Sequence, residues 1–462
     1  MLKTKWLLAG LIFAVTFIPR LYKISNPVAD WHSWRQADTA AVARNFVKDG
    51  FNPLYPQSDS FLALNDKGLP NPNRYFINEF PFYNAVVAGV YKIWGINETY
   101  ARLVSVVFAS LGAAVLYLIA SKLFGQKIAL AAGLFYALNP YNIYYGRVIM
   151  PDPIFVSLGL IALYLFLLKP WNLWSAGVFG LSLLVKPYAI FVLPVFLYYG
   201  RWQPKLMGRW GAVALAPLIL WRIHLANHPE ASFASNWLLN GTDIRFTGAW
   251  FRWLIYERLN RLIFATGGFV LLILGMISSY QDKKRLGIFI WLLSIVAYMI
   301  IFAMGNVTHD YYQLPLMPVG SILVAFGFWQ IVDSSKNLLI KLINWGVALS
   351  LVFLSLAFGW YEVRGYFNIN RPEIVEAGKA VDALTPKDAL VIAAYNSDPA
   401  FLYQTNRHGW PDGVNIEAKV QAGATHYVSV NFDSVSNYLE ARCSSLVKTD
   451  KYTIVDLRGC NL

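Results

Sequence analysis

The residues best suited to chemistry in this 462-residue chain lie in one early stretch, Asp30-Trp31-His32-Ser33-Trp34-Arg35-Gln36-Ala37-Asp38-Thr39, which continues with helical spacing to about Lys48. A step of ~100° per residue sets Arg35 and Asp38 on one stripe with Trp31, Trp34, Val42 and Phe46. An acid and a base on an apolar stripe are expensive to bury without partners, so this surface is expected to meet another polar site or a charged ligand. The competing expectation is a helix lying at a membrane interface, with its tryptophans at headgroup level and its charges snorkelling.

Later motifs offer more acids and bases. In Arg147-Val148-Ile149-Met150-Pro151-Asp152-Pro153, two prolines hold Asp152 in a rigid turn, where it either points a carboxylate into a cavity or caps the following helix. Lys186 interrupts the apolar run Leu181-Ser182-Leu183-Leu184-Val185-Lys186-Pro187, and an anionic ligand such as a lipid phosphate would suit it; otherwise it snorkels at a helix end. Residues 306–312 gather His309, Asp310, Tyr311 and Tyr312, a polar cluster with aromatic sides that fits a sugar or phosphate, or an interfacial belt. Glu79 and Arg74 precede a short apolar segment and are weaker candidates.

These residues need a scaffold, and composition says which kind. With 57% hydrophobic and 14% charged residues, the chain is expected to be a polytopic membrane protein, mainly α-helical. The net charge of +13 sits mostly in short loops between apolar runs, so it sets orientation and is no nucleic-acid footprint. Eleven spans are expected, near 1–19, 101–121, 128–145, 153–168, 172–185, 187–200, 207–223, 262–280, 286–304, 313–332 and 341–360. With the N-terminus inside, the inner loops collect Lys122 and Lys127, Lys169, Arg201 with Lys205 and Arg209, Lys283 to Arg285, and Lys336 with Lys341. That alternation requires the segment 83–94 to be re-entrant or interfacial, not spanning.

The same topology exports the loop 20–100, with its interfacial helices, and the tail. A membrane domain over 1–360 is therefore followed by a small extracytoplasmic α/β domain over 361–462, with strands near 391–395 and 426–430. Cys443 and Cys460, the two cysteines, both fall in this tail, where an oxidising compartment permits a disulfide. No phosphate-cradling glycine loop, zinc-spaced His/Cys cluster or nucleophile elbow is present, so soluble nucleotide chemistry has no support.

The order of motifs resembles the GT-C membrane glycosyltransferases. A first span, a long loop with an acid motif, Glu79-Phe80-Pro81-Phe82-Tyr83, and Ala101-Arg102-Leu103 opening a span that ends Leu123-Phe124-Gly125 carry the likeness. More narrowly the chain looks like the protein O-mannosyltransferase and aminoarabinose transferase relatives, family 39, whose later motifs correspond to Met150-Pro151-Asp152-Pro153, Leu184-Val185-Lys186-Pro187 and His309-Asp310-Tyr311-Tyr312 with Pro315 and Pro318. The resemblance covers roughly residues 1–330 and implies transfer of a sugar from a polyprenyl (undecaprenyl-type) phosphate donor to a protein, lipid or glycan acceptor at the outer face of the membrane.

It also implies a first-loop carboxylate near the acceptor and basic residues on the lipid phosphate. Where relatives carry Asp-Glu ahead of the Ala-x-x-Ala-Arg-like helix, alignment on Ala40 through Arg44 places Arg35-Gln36, which leaves Asp30 or Asp38 as the base. Asp152 becomes a helper, Arg35, Lys186 and Arg147 phosphate contacts, and His32, Trp34, Glu79, His309, Asp310 and Tyr311 substrate contacts. One carboxylate used directly as base favours a single displacement and inversion. Mg2+ or Mn2+ on Asp30 and Asp152 would be compatible with such oxygen ligands without being required. The alternative is a transporter or flippase of lipid-linked saccharides, which would be expected to show related halves with matching broken helices, and no such repeat is visible.

Overall fold

Long runs of Leu, Ile, Val, Ala and Phe fold as helices, because in a bilayer the backbone must satisfy its own hydrogen bonds. The computed structural model describes residues 2–63, 65–233 and 235–460; Met1, Leu64, Ala234, Asn461 and Leu462 lie outside the described residues. The chain forms two compact units, one of Met1–Ile24, Arg102–Ile223 and Ser235–Tyr366, the other of Ser25–Ala101, His224–Ala234 and Phe367–Leu462.

The first unit is a helical bundle. Among the described residues five stretches are long and apolar enough to cross a membrane, Thr4–Leu21, Glu98–Phe124, Pro204–Ala226, Lys283–Ile301 and Leu338–Leu384. The pair Gly248–Ile263 and Ala265–Gln281, bent by 112°, makes six if it counts as one span. The chain is thus a multi-pass membrane protein, and five or six of the expected eleven spans meet the length and composition of a crossing helix among the described residues. Gln126–Leu138, Asp152–Leu168, Leu173–Val185, Pro187–Gly200 and Leu316–Val332 are apolar but shorter.

Proline accounts for much of the shortening. The expected 128–145 helix breaks at Asn139-Pro140, where the Asn139 side chain accepts from Asn142 N–H and starts a new helix, Pro140–Tyr145. The helix Leu173–Val185 stops before Pro187, which forces Lys186 into extended backbone at φ −146° and ψ 119° and continues as a 3-10 turn, Pro187–Val192. Elsewhere small residues let helices close in. A Cβ on Gly275 would lie 1.9 Å from the Leu323 carbonyl oxygen, and one on Gly327 2.0 Å from that of Leu271, so the 265–281 and 316–332 helices touch backbone to backbone.

The second unit is built on a five-stranded sheet, ordered β2-β1-β3-β5-β4, from β1 (Leu390–Ala394), β2 (His408–Trp410), β3 (His426–Ser429), β4 (Ser444–Lys448) and β5 (Thr453–Asp456). Strand β1 pairs in parallel with β2 and β3 through short helical crossovers, and β5 runs antiparallel to β3 and β4. Ile392, Tyr427, Leu439 and Val455 form its core, and Cys443 is disulfide-bonded to Cys460.

The unit boundaries cut across the 1–360 and 361–462 division expected from the sequence. The early loop belongs with the sheet because Ser60 bridges in parallel to Gly409, and the Arg44 guanidinium donates to the Tyr403 carbonyl at 3.1 Å. The segment 83–94, expected to be re-entrant or interfacial, is the helix Phe82–Trp94 of this same unit. Val42 and Phe46 pack with Phe76 and Ala88 in a second small core.

Candidate functional site

The early stretch departs from its expected helical stripe at once. His32 takes the left-handed conformation at φ 54°, so the helix starts at Ser33 and runs to Lys48, leaving Trp31 outside it. Every residue from Arg35 to Phe46 is buried. The helix therefore has no exposed face between these residues: the 82–94 helix and the short Pro399–Gln404 helix pack against it, and its charges pair instead of snorkelling. Arg35 donates to Glu79 at 2.7 Å, and Arg44 is ion-paired with the buried Asp59 carboxylate.

Burial alone would raise Asp59, but Arg44, His408 and Asn45 overcome it and hold the carboxyl down at about 2. Burial opposes protonation of His408, yet Asp49 and Asp59 raise its pKa. Asp38 lies in the same interior, where burial pushes it up to about 7 against the pull of Arg35, with Asp398 and Asp59 adding to the rise.

Asp30 is 3% exposed and accepts from the Gln36 amide at 2.7 Å. It lines a cavity of ≈ 300 Å³ with His32, Trp34, Arg371, Tyr395 and Asp398, among others; Asp38 takes no part in that wall. The Trp34 indole donates to His32 Nδ1 at 3.3 Å, and burial pushes Asp398 up to about 6 although the Ala400 N–H lowers it.

The bundle unit holds the other candidates. Asp152 opens the Asp152–Leu168 helix, and its Oδ1 lies 3.4 Å from Lys186 Nζ, both side chains 3% exposed. The ammonium also stands 5.5 to 5.8 Å from the ring centres of Tyr188, Tyr311 and Tyr312. Lys186 is therefore buried, and the snorkelling alternative is corrected. His309 packs its ring on Trp237, Tyr311 and Tyr312. Asp310 accepts hydroxyls from Tyr145 at 2.5 Å and Tyr366 at 2.9 Å, while its carbonyl accepts from Tyr141 at 2.8 Å. Arg147 is buried and donates to the Lys23 carbonyl at 3.0 Å.

Each unit thus gathers part of the candidate set: Asp30, His32 and Trp34 share one cavity, and Asp152, Lys186 and Tyr311 share one buried cluster. Sequence reasoning missed Arg371, Tyr395 and Asp398 in the cavity wall, and the tyrosines around Asp310. One signal was available, since Asp398-Pro399 repeats the Asp152-Pro153 signature of an acid opening a helix. Among the described residues no three His, Cys, Asp or Glu side chains converge as a metal site.

Residues 78–224 match the family model for dolichyl-phosphate-mannose-protein mannosyltransferases. ArnT from Cupriavidus metallidurans is similar in structure, bound to undecaprenyl phosphate (TM-score 0.63, 15% identity) and in the apo state (0.66, 16%), each covering 98% of both chains. The oligosaccharyltransferase AglB from Archaeoglobus fulgidus, in complex with an inhibitory peptide and a dolichol-phosphate, has a TM-score of 0.57 at 11% identity over 92% of this chain and 69% of its own. No curated protein matches the chain. Together these findings support the GT-C, family 39-like resemblance carried by the sequence motifs, and the fold is that of the ArnT and AglB structures.

Proposed function

From a GT-C fold with a mannosyltransferase-family match over part of its length, we propose that this chain is a membrane glycosyltransferase that moves a sugar from a polyprenyl-phosphate donor to an acceptor hydroxyl at the outer face of the membrane. The observation that carries the proposal is Lys186, a lysine sealed in the bundle unit beside Asp152 and three tyrosine rings. A buried ammonium suits an anion that it must hold without surrounding water. The undecaprenyl phosphate and dolichol-phosphate bound by proteins of this fold are anions of the required kind.

The chemistry then needs two acts. A carboxylate takes the acceptor proton as the acceptor oxygen attacks the anomeric carbon; the bond from that carbon to the phosphate oxygen breaks, and its electrons leave with the lipid phosphate. Lys186 stabilises that departing charge, with Asp152 fixing the ammonium in place. Arg35 and Arg147, expected phosphate contacts, are engaged by Glu79 and the Lys23 carbonyl, so we give them positioning roles.

Between the two candidate bases the cavity favours Asp30. Burial pushes Asp38 up to about 7, but a base must reach the proton it abstracts, and Asp38 takes no part in the cavity wall. One carboxylate acting directly gives inversion. The eleven-span topology belongs to the same proposal, with the five shorter apolar helices and the bent pair each crossing once and the sheet unit outside.

Proteoliposomes given radiolabelled polyprenyl phosphate sugars test this directly. Transfer by the wild type, lost in Asp30→Asn and Lys186→Met but kept in Asp38→Asn, supports it. Movement of intact lipid-linked sugar across the bilayer without cleavage would replace it with a flippase.

A further inference from the structure

The cavity around Asp30 has a composition of its own. One end of its wall is the early loop, with Asp30, Trp31 and Trp34; the other comes from the sheet unit's C-terminal segment, with Arg371, Tyr395 and Asp398. Trp31 is 39% exposed, and Trp34 and Tyr395 are half-buried. Two carboxyl groups, a guanidinium and aromatic rings thus share the wall of about 300 Å³ of space.

Three classes of acceptor make different demands on such a space. A lipid acceptor wants a long apolar channel, and this wall is interrupted by Asp30, His32, Arg371 and Asp398. A peptide acceptor is usually read as an added strand or in an extended groove. The β2 edge of the sheet is taken, because Ser60 already bridges to Gly409 and Phe61 N–H donates to the Gly409 carbonyl at 2.9 Å, and the other edge strand, β4, gives no residue to this cavity wall. A sugar ring wants something else: aromatic faces, whose negative quadrupole meets its C–H edges, and planar carboxylate or guanidinium groups for paired hydroxyls.

On the transferase reading given above, we propose that the cavity of Asp30, Trp34, Arg371, Tyr395 and Asp398 is the acceptor subsite and that the acceptor is a carbohydrate hydroxyl. The C-terminal segment then sets which glycan is taken, since it supplies half the wall. Asp398 is the specificity-determining carboxylate, and Asp30, across the same wall, takes the proton from the presented hydroxyl. The Ala400 N–H that Asp398 accepts at 2.8 Å fixes one of its oxygens and orients the other.

Saturation-transfer NMR on the full chain in nanodiscs, with methyl glycosides of neutral and amino hexoses as probes, reads this without turnover. The wild type is expected to bind at least one glycoside saturably, Asp398→Asn and Trp34→Phe to weaken it about tenfold, and Lys186→Met to bind as the wild type does. Asparagine caps a helix as well as aspartate does, so Asp398→Asn keeps the fold. Binding retained in a Lys186→Met protein that has lost transfer separates this subsite from the donor chemistry. No saturable glycoside binding, equal binding by the Asp398 and Trp34 variants, or competition by a serine peptide but by no sugar would overturn the proposal.

Discussion

Two buried acid–base pairs, one in each unit, show how differently the molecule uses charge. Arg44 and Asp59 sit in a net of Asn45, His408 and the Tyr403 carbonyl, with the guanidinium also 4.2 Å from the Tyr403 ring centre. A rigid fork matched to several acceptors is a fastener. Lys186 and Asp152 meet at 3.4 Å among aromatic rings, a longer contact made by a point charge rather than a planar fork. The first pair holds the early loop to the sheet; the second lies buried in the bundle, a charge pair walled by aromatic rings.

The largest effect expected is at Asp30, which lies in the fastened unit yet faces a cavity. Asp30→Asn should lower transfer about 10²- to 10⁴-fold with little change in melting temperature. If melting fell in step with transfer, Asp30 would be one more fastener. Lys186→Met should cost roughly 10²- to 10³-fold in turnover. Adding Asp152→Asn should recover part of the thermal stability in detergent without recovering turnover, because the group facing the missing ammonium is then neutral.

Arg44→Met tests the other side. It should destabilise the sheet unit by about 3–5 kcal/mol, seen as faster hydrogen exchange around residues 57–60 and 408–410. Turnover per folded molecule should stay near that of the wild type, and a selective loss of catalysis would erase the contrast between the pairs.

Acid and base titration sharpen it further. The native state keeps Asp38 protonated up to about 7, whereas the unfolded chain ionises near 4. Stability should therefore fall by roughly 2–4 kcal/mol as pH rises from about 4 to 7, and Asp38→Asn should flatten that slope in melts across pH. Asp59, held at about 2, acts with opposite sign: its contribution is lost as pH drops from about 4 through 2. The smallest effect belongs to Tyr366→Phe, which removes one hydroxyl from Asp310 and should cost about 1.5 kcal/mol in thermal unfolding.

How far the sequence foretold this depends on the distance over which each feature is decided. Apolar runs, the helix over 82–94 and strands at 390–394 and 426–429 follow from local pattern, and local pattern found them. Asp152 and Lys186 stood out because a charge in an apolar run is conspicuous whatever lies around it. Three things were not legible. His32 in left-handed backbone delays the helix to Ser33 and leaves Trp31 off the expected stripe, and nothing in its type demands that conformation. The union of the 25–101 loop with the sheet rests on pairings between residues hundreds of positions apart. Asp398 was passed over, because nothing nearby in sequence reveals the cavity whose wall it joins.

The Arg44 contact with Tyr403 also has a meaning in time. The two residues are 359 positions apart, and at about 5–20 residues per second a ribosome needs roughly 20–70 s to make that stretch. Throughout that interval the early loop has emerged with Arg44, Asp59 and Ser60 awaiting a sheet not yet synthesised. The first extramembrane segment to be made is therefore among the last to settle, and whatever guards it in the meantime guards the residue that would later touch the acceptor.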